Sequence, residues 1–191
     1  VVLGVKADSR FKDLAALVAH ARAHPDTVTF GSGGAGSAPH FATEAFQQAA
    51  GIQLRHVPYK GAGDAMVGLL SGNIDVLVLS TPSVLSQVKG KQIRLLAISG
   101  KQRAAALPDV PTFAEGGGPG FSQFNWSGLA APKGTPPEVV QTLQKAVHQA
   151  LSTPDIKAFL ANMGSQPGNL DTAGFASLIQ RETAQWATVA Q

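Results

Sequence analysis

Cysteine is absent from the 191 residues, which excludes disulfides and thiolate metal sites. That absence suits an exported protein and a cytosolic one equally. Charge is sparse: 15 basic and 12 acidic side chains make up 14% of the chain and leave a formal net charge of +3. The basic residues are scattered, and aromatics are only 6%. With no Lys/Arg run and no stacking platform, no nucleic-acid partner is expected. The pI of 9.4 therefore argues only weakly for anionic partners. No segment approaches the roughly 20 apolar residues of a membrane span. An initiating Met and a signal peptide are lacking too, because VVLGVKADS opens directly on an apolar run. The chain reads as a processed or excised piece. No repeat period or low-complexity tract is present.

What is there is alternation. Val1–Val5 reads as a strand, and Phe11, Leu14, Leu17, Val18 and Ala21 share one face of a helix that stops near His24-Pro25. Val28–Phe30 is a short strand, and Phe41, Ala42, Ala45, Phe46 and Ala49 mark a second helix ending at Gly51. A strand at Leu54–Val57, a helix over 64–71, a buried strand at Ile74–Leu79, a helix or turn at Pro82–Val88 and a strand at Arg94–Ser99 follow. Strands separated by helices imply crossovers, so the class is α/β with a mainly parallel sheet. Thr112 and Glu115 form a capping box cut short by Gly116-Gly117-Gly118. From residue 132 the texture is helical. Thr135-Pro136-Pro137-Glu138 reads as a capping box with Pro at the first helical position, Thr153-Pro154-Asp155 opens a second helix, and Asp171 caps a third carrying Phe175, Leu178, Ile179, Trp186 and Val189. A helical tail with no sheet of its own needs something to cover its apolar faces.

The loop FGSGGAGSAPH, residues 30–40, carries Gly31-x-Gly33-x-x-Gly36, the spacing of a dinucleotide-binding turn. Such a turn needs an acidic residue about 20 positions on, at the end of the next strand. That strand ends in Pro58-Tyr59-Lys60, with no carboxylate. A basic residue there could serve a 2′-phosphate, so an NAD(P)-dependent enzyme stays open as an alternative. No Gly-Lys-Ser/Thr and no G-x-S-x-G occurs, which removes a Walker loop and a hydrolase elbow. His20 and His24, four apart on a helix, could support a metal, but an exposed helix end explains them as well. Ser37 is a good N-cap and Pro39 is tolerated in the first turn. The glycines let backbone N–H groups converge where the helix dipole favours negative charge. With Ser32 and Ser37 as hydroxyl donors, the loop is expected to hold a carboxylate or phosphate. A tight strand-to-helix turn is the plainer reading of the same glycines.

Four ordered motifs carry a resemblance: FGSGGAGSAPHFATEAF, HVPYKGAGDAMVGLLSGNIDVL, ALPDVPTFAEGG and GLAAPKGTPPEVV. Together they resemble the extracytoplasmic solute receptors of tripartite tricarboxylate transporters (the Bug, or TctC-like, family) over essentially the whole chain. The resemblance implies a two-lobed periplasmic binding protein fold (type II-like), with no enzymatic role, no metal and no cofactor. It also implies a periplasmic location, a small carboxylate ligand and membrane permease subunits as partners. A non-transport sensor on the same fold is a further alternative. The family's second-lobe carboxylate loop falls on Ser32, Gly33, Gly34, Ala35, Gly36 and Ser37, with His40 in the first turn of the following helix. Ser80 and Thr81, after the strand Ile74–Leu79, would border the same cleft. Family members often carry Phe and Asp where this chain has Val78 and Leu79, which tilts the expected ligand toward a plain carboxylate. Tyr59 and Lys60 would either touch ligand or merely fix their turn. The family also carries further residues before the point matching Val1. On this reading residues 1–6 and 125–131 are hinge strands, 7–124 the second lobe, and 132–191 helices belonging to a first lobe largely missing here. The tail is then expected to be disordered, repacked or docked on another copy, so self-association of the chain is a further expectation.

Overall fold

The computed structural model describes residues 1–118 and 126–189, except the side chains of Gln185, Thr188 and Val189. Positions 119–125, which the sequence reading shares between the second lobe and a return strand, lie outside the described residues, as does the side chain of Val189. The chain divides into two units, Val1–Asn125 and Trp126–Gln191.

The first unit is built on five strands: β1 (Val2–Lys6), β2 (Thr29–Ser32), β3 (Arg55–Pro58), β4 (Val76–Leu79) and β5 (Ile93–Ile98). Their order across the sheet is β3-β2-β4-β1-β5. β2 runs parallel to β3 and β4, whereas β1 is antiparallel to both β4 and β5. Four strands thus share one direction and β1 alone is reversed. α1 (Leu14–Ala23) leads from the reversed β1 into β2. The crossovers α2 (Ala38–Ala50), α3 (Ala62–Leu70) and the short α4 (Leu85–Lys89) join strands that share one direction.

Strand alternation sorts the core into two layers. Leu3, Val5, Phe30, Val76 and Val78 meet Leu14, Leu17, Val18 and Phe46 on one face. Val2, Leu77, Leu79, Ile93 and Leu95 meet Ala65, Met66 and Leu69 on the other. A sheet covered on both faces must be apolar on both, which is why β4 reads VLVL without a polar break. Asp75 clasps β2 to β4: its Oδ2 accepts from Thr29 N at 2.9 Å and Thr29 Oγ1 at 2.8 Å, and its own N–H donates to Thr29 Oγ1 at 3.0 Å. The expected Thr112/Glu115 box is present, with Thr112 N donating to Glu115 Oε2 at 2.8 Å and Glu115 N to Thr112 Oγ1 at 3.2 Å.

The second unit holds three helices, α5 (Pro137–Ser152), α6 (Pro154–Asn162) and α7 (Thr172–Val189). The expected box at Thr135 and Glu138 does not form. Pro136 is the N-cap, at φ −54° and ψ 137°, with no side-chain cap. A residue before proline is pushed out of the helical region, so Pro137 moves the helix start one residue on. Thr135 Oγ1 donates instead to Pro132 O at 2.8 Å. Asp171 does cap as expected, accepting from Gly174 N at 2.7 Å. Residues 126–131 carry no strand, because no ladder partner lies beside them among the described residues of their unit, and an unpaired segment gains nothing from extension. Trp126 packs edge-on to Phe175, centroids 5.0 Å apart, and its Nε1–H donates to Glu182 Oε2 at 2.7 Å. No described residue of this unit is buried, and Leu129, Leu143 and Phe159 are more than half exposed.

Candidate functional site

The parallel strands β2, β3 and β4 end at the same rim, so the segments that follow them, Gly33–Ser37, Tyr59–Gly61 and Ser80–Thr81, emerge side by side. In open α/β sheets the crevice beyond these carboxyl ends is where ligands sit. The pairings Val2↔Leu79 and Val2↔Ile98 bring the start of β1 and the end of β5, with Ser99, to that rim as well. Ser99 was not singled out from sequence, because nothing there gives the direction of β1.

Ser32 closes β2 and is fully buried, at 0% exposure. Its Oγ donates to Gly34 O at 3.1 Å, accepts from Gly34 N at 3.3 Å, and lies 2.8 Å from His56 Nε2. Ser32 therefore sits beneath the loop and not on its surface. Gly34 and Gly36 have φ of +133° and +76°, values that side chains with a Cβ rarely adopt. They reverse the backbone so that Ser37 N donates to Gly34 O at 3.2 Å. Ser37 is the N-cap of α2, as expected, its Oγ accepting from His40 N at 3.4 Å. Ser37 is half-buried, and its hydroxyl hydrogen takes no acceptor among the described residues. Gly36 N donates to His40 Nδ1 at 3.1 Å. Among the described residues, the N–H groups of Gly33, Ala35 and Ala38 take no acceptor within the chain.

His40 and His56 stack beneath this loop, with ring centroids 4.0 Å apart and planes 20° apart, and Phe30 lies 4.7 Å from His56. Burial, with a contribution from His40, pushes the His56 pKa down to about 4, so this imidazole is neutral at physiological pH. His56 was passed over in the sequence as one residue of the strand LRHV. The signal was its place two residues before the Pro58 that pairs with Ser32.

A second helix N-terminus faces the same loop. A Cβ on Gly33 would lie 3.7 Å from Ala62 N, and one on Gly34 3.3 Å from Tyr59 O. Gly61, the N-cap of α3, brings no side-chain cap. Two helix dipoles thus present their positive ends around Gly33 and Gly34, which favours an anion there. Ser80 and Thr81 follow the adjacent strand, where Ser80 Oγ lies 2.8 Å from Ser83 Oγ and Thr81 is buried. No hydrogen bond among the described residues ties them to the glycine loop. The Tyr59 ring packs against Gly31 and Gly68. Lys60 is exposed.

Gly31 also loses its place in a cofactor fingerprint. It lies inside β2, where a Cβ would meet Ile74 Cδ1 at 2.3 Å and Tyr59 Cε2 at 3.3 Å. Packing, not a phosphate turn, requires a glycine there. A depression of about 320 Å³ lies at the far end of α2, lined by Arg22, Gln47 and Gln53 among others. Its polar groups are engaged: Arg22 donates to Ala50 O at 2.7 Å, and Gln47 Oε1 accepts from Leu54 N. Among the described residues no group of three or more His, Asp or Glu could hold a metal, so His20 and His24 stand as a pair.

Residues 1–191 match the tripartite tricarboxylate transporter family receptor. The chain belongs to that family. A Rhodopseudomonas palustris protein solved with adipate superposes at TM-score 0.92 with 30% identity, over 99% of this chain and 63% of its own. MatC from the same organism, with bound malate, superposes at TM-score 0.89 with 27% identity, over 100% of this chain and 66% of its own. Among curated sequences, the UPF0065 protein in the tcbD-tcbE intergenic region of Pseudomonas sp. is 37% identical over 97% of this chain. Protein BugT of Bordetella pertussis is 33% identical over 99% of it. The chain spans 55% and 58% of those two relatives.

Proposed function

We propose that this TctC-type chain is the carboxylate-binding part of a periplasmic solute receptor, which captures a small carboxylate and hands it to the membrane permease of a tripartite tricarboxylate transporter. The observation that carries the reading is the set of N–H groups of Gly33, Ala35 and Ala38 with no acceptor among the described residues, beside the Ser37 hydroxyl and two helix N-termini. Such donors recognise a carboxylate without a Lys or Arg. The solved relatives with adipate and malate agree with a ligand of that class. Ser80 and Thr81 would close one side of the cleft.

In chains of the relatives' length, the remaining residues would supply a facing lobe. Residues 1–6 and the segment from 126 would lead to it, and the open apolar side chains of α5–α7 would pack on its sheet. Alone, the rim of one lobe supplies only part of the contacts and does not exclude water. Calorimetry with adipate and malate on the 191-residue chain is expected to give dissociation constants of about millimolar, against micromolar or tighter for a two-lobed relative-length chain. A neutral diamide of the same length should not bind. Equal binding of diamide and diacid would overturn the proposal.

A further inference from the structure

We infer that His56 is a positioning residue for the carboxylate loop, acting through Ser32. The inference rests on the function proposed above and adds a residue to its site. Ser32 Oγ has three polar neighbours: Gly34 O, Gly34 N and His56 Nε2, at 3.1, 3.3 and 2.8 Å. A hydroxyl has one hydrogen to give and two lone pairs to fill. Gly34 O can only accept and Gly34 N can only donate. All three contacts are satisfied together only when His56 carries its proton on Nε2 and donates it to Ser32 Oγ. The Ser32 hydrogen is then directed to Gly34 O and the Gly34 amide is drawn down onto Oγ.

His40 does the same for the other half of the loop. Its Nδ1 accepts from Gly36 N at 3.1 Å, which puts the proton on Nε2, 3.5 Å from Glu44 Oε1. The two imidazoles stack face to face and pull alternate amides, those of Gly34 and Gly36, inward. The amides between and beside them, Gly33, Ala35 and Ala38, are thereby left to the solvent side. Neither imidazole need touch ligand for this. Each acts on the anion by deciding which N–H groups face it, so the loop is organised before the ligand arrives.

Three variants of the 191-residue chain and one spectroscopic signature test this. Long-range ¹H–¹⁵N correlation on the unliganded chain should show His56 as the Nε2–H tautomer. His56→Phe keeps the ring stack with Phe30 and His40 but removes the donor. It should speed amide exchange at Gly34 by about tenfold, leave Gly36, held by His40, near the parent rate, and weaken adipate binding by a factor similar to that at Gly34. His56→Gln restores an N–H donor and should recover most of both, whereas His56→Leu, which restores none, should not. A His56 proton on Nδ1, or unchanged Gly34 exchange in His56→Phe, overturns the inference, and the tautomer measurement on the parent chain decides it even if a variant fails to fold. If the tautomer and exchange results hold while the parent binds neither adipate nor malate, the positioning stands and the proposed ligand class falls.

Discussion

Gly68 on α3 faces the ring of Tyr59, and a methyl group placed there would lie 2.2 Å from Tyr59 Oη and 2.5 Å from Cζ. The ring has little room to retreat, because it already lies close over Gly31 of β2. Gly68→Ala therefore sets two effects against each other. Alanine is favoured over glycine inside a helix by about 1 kcal/mol, whereas forcing a packed ring aside costs about 1–3 kcal/mol. In the parent, the net change should be a destabilisation of about 0–2 kcal/mol. Removing the ring first reverses the sign. In a Tyr59→Ala background, Gly68→Ala should stabilise by about 1 kcal/mol, since only the helical preference remains. The coupling energy from the cycle is thus about 1–3 kcal/mol. Urea unfolding followed by far-UV circular dichroism would measure it, with unchanged m-values showing that midpoints can be compared. Both tryptophans, Trp126 and Trp186, lie in the second unit, so a fluorescence transition unmoved by these substitutions would confirm that the first unit is being read. If Gly68→Ala stabilises the parent as much as it stabilises the Tyr59→Ala variant, the ring is not wedged and the reasoning fails.

Ser32→Ala should destabilise the first unit by about 1–3 kcal/mol, because it leaves His56 Nε2 and the Gly34 peptide groups without their shared partner; a change under a few tenths in chemical denaturation would contradict the hydrogen-bond assignment. His56 has a folded-state pKa near 4 against an ordinary value of 6.5, so the unfolded chain binds its proton first. Its contribution is complete above about pH 6.5 and declines as pH falls toward 4, and a stability profile of His56→Gln should be flatter across that window. Glu115 is held below the usual carboxylate range by the Thr112 N–H and then by Arg103. Its contribution is present at neutral pH and lost as pH falls through its folded value. Glu115→Gln should remove that acid-side slope, and an unaltered slope in acid titration would show the box to be idle.

Period and punctuation made most elements legible. Leu14, Leu17, Val18 and Ala21 are the buried stripe of α1 as expected, and Ser37, Thr112 and Asp171 cap where their side chains suggested. The reversal of β1 was not legible, because alternation of apolar residues says which face a side chain takes and nothing about strand direction. The glycine segment does link β2 to α2, yet Ser32, expected as a hydroxyl donor to an anion, is the last buried residue of β2. Its hydroxyl is engaged by His56 of the neighbouring strand, a partner that no residue pattern around Ser32 announces. Gly31 shows the converse: a spacing that matched a cofactor turn is explained by the Ile74 and Tyr59 side chains packed over it. At α5 two adjacent prolines outweighed a capping box by a backbone effect that a residue pattern three apart does not register.

The reversed strand has a consequence for the order in which the chain assembles. β1 precedes the other four strands of its unit, yet Val2 takes its partners from Leu79 on one side and Ile98 on the other. β2, β3 and β4 pair among themselves through much shorter crossovers. Loop-closure entropy favours the nearer contacts first, so during synthesis β1 must wait, apolar and unpaired, until β4 and β5 have both appeared. Insertion of β1 between β4 and β5 would then be the late step in the folding of this unit. A circular permutant that moves β1 to follow β5 should fold faster than the parent, with little change in the stability of the first unit.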